Sequence, residues 1–260
     1  MKRLIDRVVL ITGASAGIGE ACAAAFASEG ADLILTARRE DRLKTLAAKL
    51  TGEYKVNVIC RALDVRDRNA VKSVLDSFEG RWKDIDILIN NAGLALGVDK
   101  FYESSMDEWD AVIDTNIKGA FICARLVLEN MLKRNSGHII NLGSAAGREV
   151  YPGGSIYCAT KHAINAFTRV LRLDLCGKKI RVSSVDPGMV ETDFSVVRFR
   201  GDSDRAKKVY ENMTPLTAAD VADAILFCAT RPAHVNINEL SLMPVDQAST
   251  TMVSRKVSEQ

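Results

Sequence analysis

The stretch "VVLITGASAGIGEACAAAF", residues 8–26, decides the architecture. Val8 to Ile11 form an apolar run without polar alternation, the pattern of a strand covered on both faces. Gly13, Gly17 and Gly19 follow, and the alanine-rich segment beyond them has helical character. A glycine-rich turn between a first strand and a helix aims backbone N–H groups at a pyrophosphate. The spacing is GxxxGxG rather than GxGxxG, yet the same roles can persist: one glycine for the turn, one for close phosphate approach and one for helix–strand packing. Ser15 and Ile18 belong to the same candidate loop. The competing reading is a strand-to-helix corner that binds nothing, and the βαβ context argues against it.

Further along the chain, "ADLILTA", "KVNVIC", "DILIN", "GHIINL" and "IRVSSV" repeat the buried-strand pattern, and "NELSLMPV" reads as a last strand. Between them lie "REDRLKTLAAKL", "RNAVKSVLDSFEGRW" and "DEWDAVIDTNIKGAFICARLVLENMLKR", all helical in character. The βαβαβ order requires right-handed crossovers and helices on both faces. The expected fold is α/β, a Rossmann-type doubly wound parallel sheet of about seven strands. One domain is expected over residues 1–260. Gly30, Gly52 and Gly177 sit just past apolar-periodic segments, where a left-handed C′ residue is easily accommodated. After Pro187 the pattern loosens, and residues 189–216, too long for a turn, are expected to form a lid over a ligand cleft. "TAADVADAILFCAT" reads as a helix capped at Thr217.

With 260 residues, 47% of them hydrophobic, the chain can bury a sizeable core. A net charge of +2 is too small to suggest a duplex-binding surface, so no nucleic-acid partner is expected. Cys22, Cys60, Cys123, Cys158, Cys176 and Cys228 show neither CxxC pairs nor metal-ligand spacing and read as reduced, mostly buried thiols. His138, His162 and His234 lack metal-like spacing too and read as structural; no metal is expected. The N-terminus leaves no room for a signal peptide's apolar region before the first glycine turn, and no stretch approaches the ~20 apolar residues of a membrane span. A soluble cytoplasmic protein without a membrane partner is therefore expected.

The second strand ends in "LILTARRED". An Asp or Glu there would accept hydrogen bonds from the ribose hydroxyls of NAD, whereas guanidinium groups pair with a 2′-phosphate. Arg38 and Arg39 favour NADP(H). Glu40 remains near enough to act as a ribose acid in the opposing reading, in which Arg38 to Asp41 form a solvated helix cap.

"SIYCATKHAINAF" places Tyr157 four residues ahead of Lys161, side by side on one helix face. A cation near a phenol favours the phenolate, which makes Tyr157 a credible general acid/base. YxxxK alone is not diagnostic. Its context is "HIINLGSAAG", a strand that ends near Ser144, and open α/β sheets bind ligands at strand carboxyl ends. Ser144 and Tyr157 can thus converge on one crevice.

The ordered set "TGASAGIG", "NNAG", Asn116, Ser144, "YCATK" and "DPG" resembles the short-chain dehydrogenase/reductase family over essentially the whole chain. The resemblance implies a catalytic tetrad: Tyr157 as proton donor, Ser144 orienting the reacting oxygen, Lys161 on the cofactor ribose and lowering the phenol pKa, and Asn116 holding a relay water. It also implies Asp64 near the adenine, Asn91, Ala92 and Gly93 beside the adenosine ribose, and Pro187, Gly188 and Thr192 around the nicotinamide. Against these stand plainer roles: a helix N-cap for Asp64, a cap or kink for Asn116, a turn former for Ser144. Finer features, "NNAGLALG", "FSVVRFRGD" and "INELSLMPVDQ", resemble the NADP-dependent 3-hydroxy acid dehydrogenase branch, which includes serine dehydrogenase. Substrates such as L-serine or 3-hydroxypropionate carry a carboxylate, for which Arg148 and Arg198 are the candidate partners, unless they lie in solvent or at a subunit contact. Alternatives are a 3-oxoacyl-carrier-protein or broad-specificity carbonyl reductase, or a non-catalytic NADP-binding regulatory protein. The resemblance further implies a homotetramer. On the Tyr157 helix, Ala163, Phe167, Val170 and Leu171 form an apolar stripe consistent with burial on one face.

Overall fold

The computed structural model describes residues 2–256, so residue 1 and residues 257–260 of the expected domain lie outside the described residues. The chain runs β1 (Val8–Thr12), α1 (Gly17–Ser28), β2 (Asp32–Ala37), α2 (Glu40–Tyr54), β3 (Val58–Ala62), α3 (Arg68–Asp76) and β4 (Ile87–Asn90). It continues through α4 (Met106–Ile113), α5 (Ala120–Arg134), β5 (Gly137–Leu142), α6 (Ser155–Asp174) and β6 (Ile180–Pro187). Helices α7 (Asp193–Arg198), α8 (Ser203–Lys208) and α9 (Ala218–Ala229) precede β7 (Glu239–Leu242).

The strands form one seven-stranded sheet in the order β3-β2-β1-β4-β5-β6-β7. Every pairing is parallel. The doubly wound sheet expected from the apolar runs is present, and the strand order reverses between β1 and β4, where such sheets open a ligand crevice. Alternating residues of β1 serve opposite faces: Val9 and Ile11 pack with Phe26, Leu43, Val221 and Ile225 of α1, α2 and α9. Val8 and Leu10 pack with Val71, Val127, Met131 and Leu171 of α3, α5 and α6.

Four local features depart from the apolar periodicity. Gly52 lies within α2, and the left-handed residue that ends this helix is Lys55, at φ 60°. This delays β3 to Val58. The helical segment 68–82 breaks after Asp76, and a 3₁₀ turn over Gly80–Lys83 follows. The segment 107–134 is not one regular helix, because a π-helical stretch, Asp114–Gly119, separates α4 from α5. On α6, Leu171 enters the core, but Val170 is 52% exposed, so the expected apolar stripe divides between core and surface. The Thr217 cap is present as a full capping box with Asp220. Among the described residues no helix is long and apolar enough to cross a membrane, no group of residues could hold a metal ion, and all six cysteines are free.

Candidate active site

The carboxyl ends of the strands open onto a cavity of about 760 Å³. Its floor is the turn between β1 and α1. Gly13 and Gly17 adopt φ of +68° and +58°, which side chains disfavour. Gly19 is a packing residue rather than a wall of the cavity: a Cβ there would lie 2.3 Å from the Gly13 carbonyl. No side chain caps α1 at Ala16, so the first N–H groups of the helix are left for an anion. Ser15, Gly17 and Ile18 line this part of the cavity. The turn is stitched to the end of β4: Asn91 Nδ2 donates to the Thr12 carbonyl at 2.8 Å, and Thr12 Oγ1 accepts from the N–H groups of Asn91 and Ala92, both at 3.0 Å.

Arg38 and Arg39 line the same cavity at the end of β2. Arg39 reaches back to Ser15 Oγ at 3.2 and 3.3 Å, which brings its guanidinium beside the glycine turn. Glu40, the opposing ribose acid, is paired with Lys44 at 2.8 Å and is absent from the cavity wall. Asp64 also lines the cavity, where Arg66 at 2.6 Å holds its carboxyl below the usual range. It is not a helix cap; Asp67 caps α3, accepting from Asn69 N and Ala70 N. This end of the cavity thus combines an uncapped helix N-terminus with two guanidinium groups, an arrangement that suits an anionic ligand.

At the opposite end, Tyr157, Ser144 and Lys161 face one space. Ser144 Oγ accepts from the Ala146 N–H at 3.1 Å, which leaves its own hydrogen free to donate. Lys161 Nζ donates to the Leu142 carbonyl at 2.8 Å and lies 5.8 Å from the centre of the Tyr157 ring. Burial dominates both groups. It pushes the phenol of Tyr157 up, reinforced by Tyr151 and opposed by Ser144 and Arg198. It lowers Lys161 to about 8, opposed by the charge of Asp186. Arg198 and Ser144 oppose the rise of the phenol, while desolvation weakens Lys161 as a cation.

Asn116 sits in the π-helical stretch and is buried. Its Oδ1 accepts from Leu94 N at 2.8 Å, and its Nδ2 donates to Leu94 O at 2.9 Å and Thr160 Oγ1 at 3.1 Å. This side chain ties the 91–94 loop to α6, and Asn116 itself is absent from the residues that line the cavity. Gly93, Pro187, Gly188 and Thr192 line the cavity.

The two candidate arginines separate. Arg198, at the end of α7, enters the cavity: Nη2 donates to Tyr151 Oη at 2.8 Å, Nε to Gly97 O at 3.3 Å, and its guanidinium lies 5.7 Å from the Tyr157 ring centre. Arg148 does not line the cavity, because Asp186 (2.6 Å) and Glu239 (2.8 Å) hold its guanidinium on the other side of the Ser144 turn. Its charge is thus committed to two carboxylates of this chain rather than presented to the cavity. Residues that sequence reasoning did not single out also line the wall: Tyr151, Phe194, Ser195, Tyr210, Gln247 and Thr250. The tilted ring of Phe194 is 5.6 Å from that of Tyr157, and Gln247 Oε1 accepts from Met189 N at 2.7 Å. The signal for Gln247 was its place in "PVDQ", just past a strand's carboxyl end.

A dinucleotide cradle beside a tyrosine–lysine pair on a doubly wound sheet defines an oxidoreductase of the short-chain type. The sequence profile described as short chain dehydrogenase matches residues 7–202. The NADP-dependent 3-hydroxy acid dehydrogenase of Salmonella typhi is 48% identical over 242 residues, 93% of this chain and 96% of that protein. Sulfoacetaldehyde reductase 2 of Chromohalobacter salexigens is 46% identical over 93% of this chain and 95% of its own length. Among solved structures, the closed form of serine dehydrogenase complexed with NADP+ superposes with a TM-score of 0.90 at 45% identity, covering 96% of this chain and 100% of that one. The chain belongs to the short-chain dehydrogenase family.

Proposed function

We propose that the protein interconverts small 3-hydroxy acids and the corresponding 3-oxo acids with NADP(H) as cofactor. The observation that carries this reading is Arg198, a cation held by Tyr151 next to the Tyr157 ring. A cavity that places one guanidinium beside its proton donor suits a short substrate with an acid group near the reacting carbon. The relatives share that chemistry, since a 3-hydroxy acid, serine and sulfoacetaldehyde all carry on a short chain an acid group that is anionic at neutral pH.

Bound NADP(H) supplies or accepts the hydride. Arg38 and Arg39 receive the 2′-phosphate, the α1 N-terminus the pyrophosphate, and Lys161 the ribose hydroxyls through the ammonium hydrogens that Leu142 leaves free. Asp64, Asn91, Ala92 and Gly93 enclose the adenosine half, and Pro187, Gly188 and Thr192 the nicotinamide half. In oxidation Tyr157 Oη takes the hydroxyl proton as hydride leaves carbon, and in reduction it returns that proton to the carbonyl oxygen. Ser144 Oγ donates to the same oxygen. Residues 189–216 act as the lid, with Arg198 arriving on it; the Gly97 N–H donates to Arg198 O at 2.8 Å, and Arg200 bridges Asp99 at 2.8 Å and Glu108 at 2.6 Å. Phe121, Val170 and Leu173, exposed on α5 and α6, support assembly into the homotetramer. Six free thiols suit the reducing cytoplasm.

The test is a steady-state panel of 3-hydroxypropionate, L-serine and neutral alcohols and ketones with NADP(H). Arg198→Ala is expected to raise KM for the acids about 100-fold, the ~3 kcal/mol of a charge-assisted bond, while KM for neutral compounds changes little, whatever the effect on kcat through Tyr157. An equal rise in KM for acids and neutral compounds would reject the acid-binding role. Neutral ketones outperforming the acids in the unmodified protein would favour a broad carbonyl reductase, and no turnover of any compound would favour a regulatory protein.

A further inference from the structure

Among the described residues Lys161 is the only buried lysine or arginine. A buried ammonium without a counter-charge tends to surrender its proton. Its hydrogen-bond partner, the Leu142 carbonyl, is a dipole rather than a charge. Behind that carbonyl lies Asp186 on β6, 0% exposed. Gly143 follows Leu142 and donates its N–H to the Val185 carbonyl at 2.8 Å; a Cβ on this glycine would lie 1.8 Å from Asp186 Oδ1. The glycine therefore lets a buried carboxylate lie directly against the backbone that holds Lys161. Asp186 Oδ1 accepts from Ser184 Oγ, and Oδ2 accepts from Arg148 Nε at 2.8 Å. Arg148 is shared in turn with Glu239, which Arg169 and Arg172 also engage.

We propose that Asp186 is the counter-charge that keeps Lys161 an ammonium in its buried position, and that Arg148 sets how much of that charge Lys161 feels. Both are positioning residues, acting through Lys161. The inference rests on the cofactor-binding role of Lys161 above and is independent of which acid is the substrate. The other charged or titratable groups near Lys161 do not serve. Tyr157 shares its helix, and Arg198 of α7, a cation itself and 5.7 Å from the centre of the Tyr157 ring, supplies no counter-charge. From α4 and the π-helical stretch, Glu108 and Asp114 are engaged by Arg200 and Lys118. The downward pull of burial on Lys161 is opposed by Asp186.

The two partners of this pair should act in opposite senses. Asp186→Asn removes the counter-charge, so Lys161 loses its proton at lower pH. Arg148→Ala removes the cation that offsets Asp186, so Lys161 keeps its proton to higher pH. The experiment measures NADPH binding to the full chain by fluorescence from about pH 6 to about 10, together with the pH profile of kcat/KM for 3-hydroxypropionate. The alkaline midpoint of both is expected to fall by ~1 pH unit in Asp186→Asn, to rise by a similar amount in Arg148→Ala, and to return toward the original in Arg148→Lys. In Lys161→Met the midpoint should vanish from the binding curve. Shifts of the two variants in one direction, unmoved midpoints with uniformly lower values, or a midpoint that survives Lys161→Met would each overturn the proposal. If Asp186→Asn does not fold, a midpoint in Arg148→Ala that stays or falls overturns it alone. A protein inert toward 3-hydroxypropionate would remove the substrate reading and leave the NADPH arm to decide this one.

Discussion

Tyr157 faces a conflict between burial, which retains its proton, and the surrounding donors and cation, which ease its release. A phenol that gives and takes a proton needs both, because it must stay protonated for reduction and yield for oxidation. Tyr157→Phe keeps the ring that packs at 5.6 Å from Phe194 and deletes only the oxygen. The expected result is a fall in kcat of about 10³-fold, within the range for a lost general acid, with NADPH affinity nearly unchanged in a fluorescence titration. An equal loss of affinity would mean that the hydroxyl serves binding instead. At this scale the sequence was informative about which side chains lie at strand ends and silent about where they point. Arg148 and Arg198 both looked fit to receive a carboxylate. One follows a turn that directs it toward Asp186, and the other ends a helix that directs it toward Tyr151, a difference set by backbone geometry that residue identity does not carry.

At the scale of elements, buried strands were legible because parallel strands flanked by helices require unbroken apolar runs. The π-helical stretch at Asp114–Gly119 was not, because apolar periodicity continues on either side and a one-residue change of winding leaves it nearly intact. That stretch nevertheless holds Asn116 within hydrogen-bond reach of both Leu94 and Thr160, tying two helices and a loop together. The junction of β2 and α2 is a second informative element. Arg39 precedes α2 as its N-cap residue with no side-chain bond to the helix, so its guanidinium is free to reach Ser15. Replacing Arg38 and Arg39 together by Ala should reduce kcat/KM with NADP about 100-fold and leave the value with NAD largely unchanged, because only the former cofactor presents a phosphate to them. Parallel initial-rate measurements with both cofactors check this, and equal losses would assign the arginines a structural role.

At the scale of the whole molecule, acid stability is set far from the cavity. His138 lies in the centre of the sheet, bonded through Nε2 to Ser183 Oγ at 2.8 Å, with Nδ1 unpartnered. Burial holds it well below its ordinary value of 6.5. The unfolded chain therefore binds this proton first, and the stability that His138 contributes above pH 6.5 is lost progressively as pH falls below that value. Glu239, lowered to about 2 by its arginine partners, adds a second loss as pH falls from 4.5 toward that value. Thermal unfolding should show a clear drop in Tm between about pH 7.5 and about pH 5.5, and His138→Gln should flatten that drop whatever its effect at neutral pH. An unchanged slope in the variant would assign the acid sensitivity elsewhere.

The hydride and proton machinery stands on β5 and α6, whereas the guanidinium that would select an acid arrives on α7, in a separate stretch of chain. Catalyst and selector are thus spliced from different modules. A protein engineer wishing to redirect this scaffold toward uncharged starting materials would begin with single replacements at Arg198, keeping Thr192 and Phe194, which border the reaction centre, in place.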